Sequence, residues 1–464
     1  MKHFLSDKIK SAFSHQPTTQ QAELIDALSS FMVEGLDHVF LLKGYAGTGK
    51  TSVVSALIRT MDELEQPVVL LAPTGRAAKV LASYSGHTAL TIHKKIYRQR
   101  VGGSLESDFS INVNLHKHTL FIVDEASMLA NAGDSVFGTG NLLDDLMSYV
   151  YGGDGCRMIL VGDTAQLPPV GQDESPALCA EYMEGYGFPI DQYLLTDVVR
   201  QADESGILYN ATSLRLMLMQ GREGEKPDVD TDFPDVKKVS GEELIEEIST
   251  AYNRDGMNET IIISRSNKRT NIFNEGIRNR ILYREEDLST GDMVMVVKNN
   301  YYWTKQAEAD GKLDFIANGD IAEIRRVRRR TELYGFHFAE ATLHFPDYDI
   351  DLDVKILLDT LRSESPSLTY EESNRLFQAV QEDYMHIGNK RERMKQMRED
   401  PFLNALQLKF AYAVTCHKAQ GGQWQNVFLD KGYITDDMIN TDYLRWLYTA
   451  FTRATGKLYL INWD

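Results

Sequence analysis

Short, uninterrupted apolar runs recur along the first two hundred positions, each delivering glycine or acidic residues at its end. They are "HVFLLKG" (38–44), "PVVLLAPTG" (67–75), "TLFIVDEAS" (119–127) and "RMILVGDTAQ" (157–166). A strand that is apolar on both faces must be covered on both, so these runs predict buried parallel strands. The stretches between them, such as "TSVVSALIRTMDELE" (51–65) and "GRAAKVLASYS" (75–85), carry apolar residues at helical spacing. The alternation predicts an α/β fold with a doubly wound sheet, whose ligands bind beyond the carboxyl ends of the strands. Residues 1–200 are therefore read as a first nucleotide-binding lobe. A smaller insertion at 98–117, with a Gly-Gly turn, reads as a projecting hairpin.

A second series begins at "TIIISRSNKR" (260–269), breaks near 290, and resumes with "KFAYAVTCHKAQGG" (409–422), "QNVFLDKG" (425–432) and "KLYLINWD" (457–464). A second lobe over 201–290 and 405–464 follows, interrupted by an insertion over 291–404. Within the insertion, "GDMVMVVKNNYYW", "NGDIAEIRRV", "GFHFAEATLHF" and "YDIDLDVKILL" alternate apolar and polar positions between Gly-Asp and Asn-Gly turns. That pattern predicts antiparallel strands closing into a small β-barrel. A charged helical stretch over 369–399 comes next.

Composition narrows the class. A chain of 464 residues at 43% hydrophobic needs more than one core, and no internal repeat or low-complexity tract stands out. No apolar run approaches the eighteen or so residues needed to cross a bilayer, so a soluble, cytoplasmic protein without membrane contact is expected. Cys156, Cys179 and Cys416 are widely spaced, which removes support for a disulfide framework or structural zinc. The net charge of −18 argues against nonspecific coating of nucleic acid, and leaves local clusters to decide. Such clusters occur in "RSNKR" (265–269), "RRVRRR" (325–330) and "KRERMKQMR" (390–398), each of which, taken alone, reads first as a solvated face.

The candidate chemistry centres on "GYAGTGKT" (44–51), which fits the phosphate cradle G-x-x-x-x-G-K-[ST] between a strand and a helix. Gly44, Gly47, Thr48 and Gly49 bring backbone amides to phosphate oxygens, Lys50 faces the outer phosphates, and Thr51 offers a hydroxyl to Mg2+. About seventy residues on, "VDEAS" supplies Asp124 for the magnesium shell and Glu125 to deprotonate an attacking water. A positioned base favours hydrolysis of ATP over transfer to an acceptor. A nucleotide kinase shares the cradle but has no use for Glu125, and no further acids cluster as a two-metal nuclease would need.

The ordered series "TTQQ", "GYAGTGKT", "APTGRAAKVL", "TIH", "VDEAS", "VGDTAQLPPVG", "VVRQ", "VTCHKAQGGQW" and "YTAFTRA" resembles, over nearly the whole chain, the motifs of superfamily 1 DNA helicases of the RecD and phage Dda branch. The resemblance implies two RecA-like lobes, with the inserted barrel as an SH3-like domain. It implies that Gln21 reads adenine, although a polar residue opening a helix explains it equally well. It makes Gln166 a terminal-phosphate contact and Arg200 and Arg453 arginine fingers, Arg453 coming from the second lobe. Asp163 supports the same crevice. It assigns strand contacts to Pro73, Thr74 and Gly75 with His93 in the first lobe, and to Thr415 and His417 with Gln420 and Gly421 in the second; Lys418 is either a phosphate contact or solvated. Phe109 on the hairpin either stacks a base or packs its own lobe.

The function implied is an ATP-dependent DNA helicase translocating on single-stranded DNA, 5'-to-3', by closure of the two lobes. Its cofactors are ATP and Mg2+, and its partners single-stranded and forked duplex DNA. DNA repair, replication or recombination proteins are further partners of the family, and the expected form is a monomer. The alternative is a nucleic-acid-stimulated ATPase that clamps or remodels nucleic acid without processive unwinding.

Overall fold

The continuous apolar runs do form parallel strands. In the computed structural model, residues 1–35, 37–99, 109–131, 138–199, 204–306 and 315–463 are described. The strands are β1 (Val39–Gly44), β2 (Val68–Ala72), β3 (Ala89–Thr91), β4 (Tyr97–Gln99), β5 (Phe109–Ile111), β6 (Leu120–Val123), β7 (Arg157–Gly162) and β8 (Ile190–Leu195). A six-stranded sheet runs β3-β2-β6-β7-β1-β8, with every pair parallel. Register brings the strand ends into line, with Leu71 opposite Val123, Val123 opposite Leu160, and Gly44 opposite Leu195. The loops at 45–49, 73–75, 124–128 and 163–167 therefore share one edge. Helices Thr19–Glu34 and Lys50–Glu63 bury Leu24, Leu28, Phe31, Val54, Leu57 and Ile58 in one core with Phe40, Leu42, Ile122 and Val161. Each such side chain contributes about 1.5–3 kcal/mol on burial, which holds the loop-bearing edge rigid.

The second sheet is built from β9 (Val236–Val239), β10 (Thr260–Ser264), β16 (Ala413–Thr415), β17 (Trp424–Asp430) and β18 (Ala454–Ile461), in the order β16-β10-β17-β18-β9. The barrel is present and closed. Its strands are β11 (Met293–Val296), β12 (Ile321–Leu333), β13 (Phe336–Phe345), β14 (Ile350–Leu357) and β15 (Leu406–Phe410), with β14 and β15 meeting in parallel. The fifth strand thus comes from 406–410, a stretch the sequence pattern assigns to the second lobe. Buried Asp292 accepts from Arg278, Arg284 and the hydroxyl of Tyr412, fastening the start of the barrel to the helix Asn267–Arg280. Helices Tyr370–Asp383 and Lys390–Arg398 fill the charged stretch.

The chain divides into two compact units. The first is Met1–Lys237 with Gln420–Gln423 and Ile434–Lys457, and the second is Lys238–Ala419 with Trp424–Tyr433 and Leu458–Asp464. The helix Thr441–Phe451 thus belongs to the first unit, whereas the sequence reading counts 405–464 wholly with the second lobe. The physical reason is packing: the helix is buried along most of its length and lies against the helix Gly206–Met219 of the first unit.

On β12, Arg325 pairs with Glu323, Arg328 with Asp353, and Arg330 with Glu286, so much of the "RRVRRR" charge is met within the fold. On β5, Phe109 is only 5% exposed. A ring buried to that extent offers no face to a base in this state. β4 and β5 form a two-stranded antiparallel ribbon, while residues 100–108 of the expected hairpin lie outside the described residues. No helix among the described residues is long and apolar enough to cross a membrane.

Candidate active site

The phosphate loop joins β1 to the helix Lys50–Glu63 through two glycines in the left-handed region, Gly47 at φ 74° and Gly49 at φ 84°. A Cβ on Gly49 would stand 2.3 Å from Gln21 Nε2, and one on Gly44 would stand 2.9 Å from Lys50 Cγ. Only glycine fits either position. The Lys50 ammonium donates to the carbonyls of Gly44 at 2.6 Å and Tyr45 at 3.0 Å, and Thr48 Oγ1 donates to Tyr45 O at 2.8 Å. The loop is therefore curled into a cradle, with Thr51 exposed at the helix start.

Gln21 is fully buried and engaged at both ends of its amide. Its Oε1 accepts the Thr18 amide at 3.0 Å as half of a capping box, and its Nε2 donates to Thr48 O at 3.1 Å. In this state it braces the phosphate loop.

Just beyond β6 stands Asp124, whose Oδ1 accepts the Glu125 amide at 2.9 Å and whose Oδ2 accepts the Tyr84 hydroxyl at 2.5 Å. Glu125 takes a left-handed φ of 52°, a conformation that non-glycine residues adopt rarely and at a cost. The turn aims its carboxylate at Arg453, whose Nη1 lies 3.8 Å from Oε1. Burial pushes the Glu125 carboxyl above its usual range, while the Arg453 guanidinium pulls it back. A carboxylate poised in this way is suited to take a proton from water.

Opposite, buried Asp163 accepts the Ala165 amide through Oδ1 at 2.9 Å and the Tyr448 hydroxyl through Oδ2 at 2.6 Å. The same hydroxyl accepts the amide of Ala46 in the phosphate loop at 2.8 Å. Burial holds the Tyr448 phenol well above its ordinary pKa, so it stays protonated and donating. At the next residue, Thr449 Oγ1 accepts the Leu167 amide at 2.8 Å, and Gln420 Nε2 donates to Leu167 O at 2.6 Å. Arg453, 3% exposed, follows the helix and donates to Thr449 O and Gly422 O. Lys50, Asp124, Glu125, Asp163, Gln166 and Arg453 thus all fall in the first unit. Arg200 lies outside the described residues.

A nucleotide with magnesium fits this donor set. The cradle excludes side chains, Thr51 and Asp124 offer the hard oxygens that Mg2+ prefers, and Gln166 Oε1 is buried with no protein partner among the described residues. A cavity of about 490 Å3 is bordered by Ser127, Asp163 and Gln166.

Among the strand-contact candidates, Thr74 caps the helix Gly75–Ser85 by accepting the Ala77 amide at 3.2 Å, and neighbouring Pro73 is half-buried. His93 stacks at a tilt on Tyr97 with ring centres 5.7 Å apart. Both lie in the first unit. Thr415 ends β16 in the second unit and His417 is exposed just beyond it. The Lys418 ammonium is buried with no hydrogen-bond partner among the described residues, and burial lowers its pKa to about 8, so the solvated alternative does not hold.

Tyr448, Thr449 and Tyr84 are the site residues that sequence reasoning missed. The only trace of the first two is their place in "LYTAFTRA" on a helix too apolar to be a surface helix.

Two family models match the chain, an AAA domain over residues 16–228 and a UvrD-like helicase C-terminal domain over residues 410–461. An uncharacterized protein of Acanthamoeba polyphaga mimivirus is 24% identical, over 95% of this chain and 98% of its own length. The ATP-dependent RecD2 DNA helicase of Deinococcus radiodurans is 33% identical over 42% of this chain and 23% of its own. The ATP-dependent DNA helicase dda of Enterobacteria phage T4 is 26% identical over 59% of each. The chain therefore spans under two thirds of either named helicase.

Proposed function

The chain belongs to the superfamily 1 helicases, and from that premise we propose that it is an ATP-dependent DNA helicase that moves 5'-to-3' along single-stranded DNA. The observation that carries the reading is the bridge from Ala46 through Tyr448 to Asp163, with Arg453 at the end of the same helix facing Glu125. That arrangement suits hydrolysis. Glu125 takes the proton of the attacking water, Lys50 and Arg453 meet the charge that spreads over the phosphoryl oxygens, and Gln166 orients the terminal phosphate. Magnesium held by Thr51 and Asp124 would neutralise phosphate charge and polarise the transferred group.

Movement follows from chain connectivity. Gln420–Gln423 runs straight into β17, and Arg453 runs straight into β18, so a shift of either segment when the terminal phosphate departs pulls on strands of the second sheet. Alternating closure of the two lobes, with Pro73, Thr74 and His93 gripping the strand from one and Thr415 and His417 from the other, converts that pull into steps. Opening the duplex ahead then costs about 1.4 kcal/mol of stacking per base-pair step, within reach of a cycle fuelled by ATP.

The test is unwinding of duplexes carrying either a 5' or a 3' single-stranded tail. Unwinding of the 5'-tailed substrate alone is expected. Preference for the 3' tail contradicts the polarity, and ATP-driven binding without unwinding of either favours a clamp.

A further inference from the structure

Tyr84 lies on the helix Gly75–Ser85, well outside the phosphate loop and the acidic pair, yet its hydroxyl reaches Asp124 Oδ2 at 2.5 Å. With the Glu125 amide on Oδ1, the Asp124 carboxylate is held by two donors from two different elements, which fixes both its plane and its rotamer. A hydrogen bond to an ionised oxygen is roughly twice as strong as a neutral one. The backbone is tied down as well, since Tyr84 O accepts from Ser55 Oγ at 3.2 Å on the phosphate-loop helix. Tyr84 and Thr51 also border one cavity of about 220 Å3.

We propose that Tyr84 is a positioning residue that holds the Asp124 carboxylate ready for magnesium, and so makes the helix that starts at the strand-contact candidates Thr74 and Gly75 part of the metal site. The proposal rests on the ATP and magnesium reading above. Groups that orient a metal-binding carboxylate commonly change metal affinity by ~10–100-fold when removed.

The experiment is equilibrium binding of a fluorescent ADP to the full chain, titrated with magnesium and repeated in EDTA, for wild type, Tyr84→Phe, Asp124→Asn and the double variant. Tyr84→Phe keeps the ring and should raise the magnesium needed for half-maximal tightening by ~10–100-fold, with affinity in EDTA unchanged. The double variant should match Asp124→Asn, because Tyr84 acts through that carboxylate. Identical magnesium dependence in wild type and Tyr84→Phe overturns the proposal, as does an equal loss of affinity in EDTA, the mark of a merely structural role. A wild-type chain whose ADP affinity ignores magnesium overturns instead the site reading beneath it.

Discussion

The hydroxyl of Tyr448 donates to Asp163 Oδ2 at 2.6 Å, joining residues 285 positions apart in sequence. Because the same oxygen accepts the Ala46 amide, Tyr448→Phe leaves a half-buried amide and a buried carboxylate each short of a partner. An orphaned buried group costs about 1–3 kcal/mol, and one such group in the transition state amounts to about tenfold in rate. ATP turnover should therefore fall about tenfold, with a smaller change in ADP affinity measured by the same titration. Unchanged turnover would show that the bridge is only structural.

Lys50→Ala should abolish turnover and unwinding together, because nothing else described in the cradle supplies a cation to the outer phosphates. Glu125→Gln should behave differently. Its amide keeps the volume and the turn but cannot take a proton, so nucleotide binding persists while hydrolysis falls by roughly 10²–10⁴-fold. Binding and single-turnover hydrolysis, measured side by side, separate the two outcomes.

Arg453→Ala should leave nucleotide affinity nearly intact and reduce the strand-stimulated rate by ~10³-fold or more, the scale of an arginine finger. A pH effect should accompany it in the residual activity. The guanidinium lowers the pKa of Glu125, which burial raises. Without the cation the carboxyl is protonated up to a higher pH, so the rising acid limb of the pH–rate profile should move upward. A limb that stays put, or moves down, contradicts the pairing.

How much of this was legible in the sequence depended on how far apart the partners lie. The phosphate cradle and the Asp124–Glu125 turn are local patterns with a strand before each, and the barrel strands announce themselves by alternation. Gln21 is legible only in part. Its T-x-x-Q spacing from Thr18 marks the helix start, but the bond to Thr48 O that braces the loop is a tertiary fact. Tyr448 and Tyr84 carry no local mark, since a tyrosine in an apolar helix reads as core until its hydroxyl finds a partner. The grouping of Arg453 with Lys50 in one compact unit was equally hidden. The burial of Leu444, Leu447 and Phe451 shows that their helix is covered, not what covers it.

The barrel offers an independent check on the fold. Burial raises the Asp320 carboxyl to about 7, against the Ala317 amide and Tyr348 hydroxyl that favour its charged form. Between the unfolded value near ~4 and the folded one, the folded chain holds a proton that the unfolded chain has lost. This group's contribution to stability is thus present below that window and lost as pH rises through it. Thermal unfolding should show stability declining from pH 5 to pH 8, and Asp320→Asn should flatten the decline. An equal slope in the variant contradicts the assignment.

The decisive quantity is the steady-state rate of ATP hydrolysis by the wild-type chain as single-stranded DNA is titrated in with magnesium present. A slow basal rate that rises by at least an order of magnitude and saturates with the strand is the predicted result. Hydrolysis that is absent, or indifferent to the strand at every concentration, contradicts the claim that this site couples nucleotide to track.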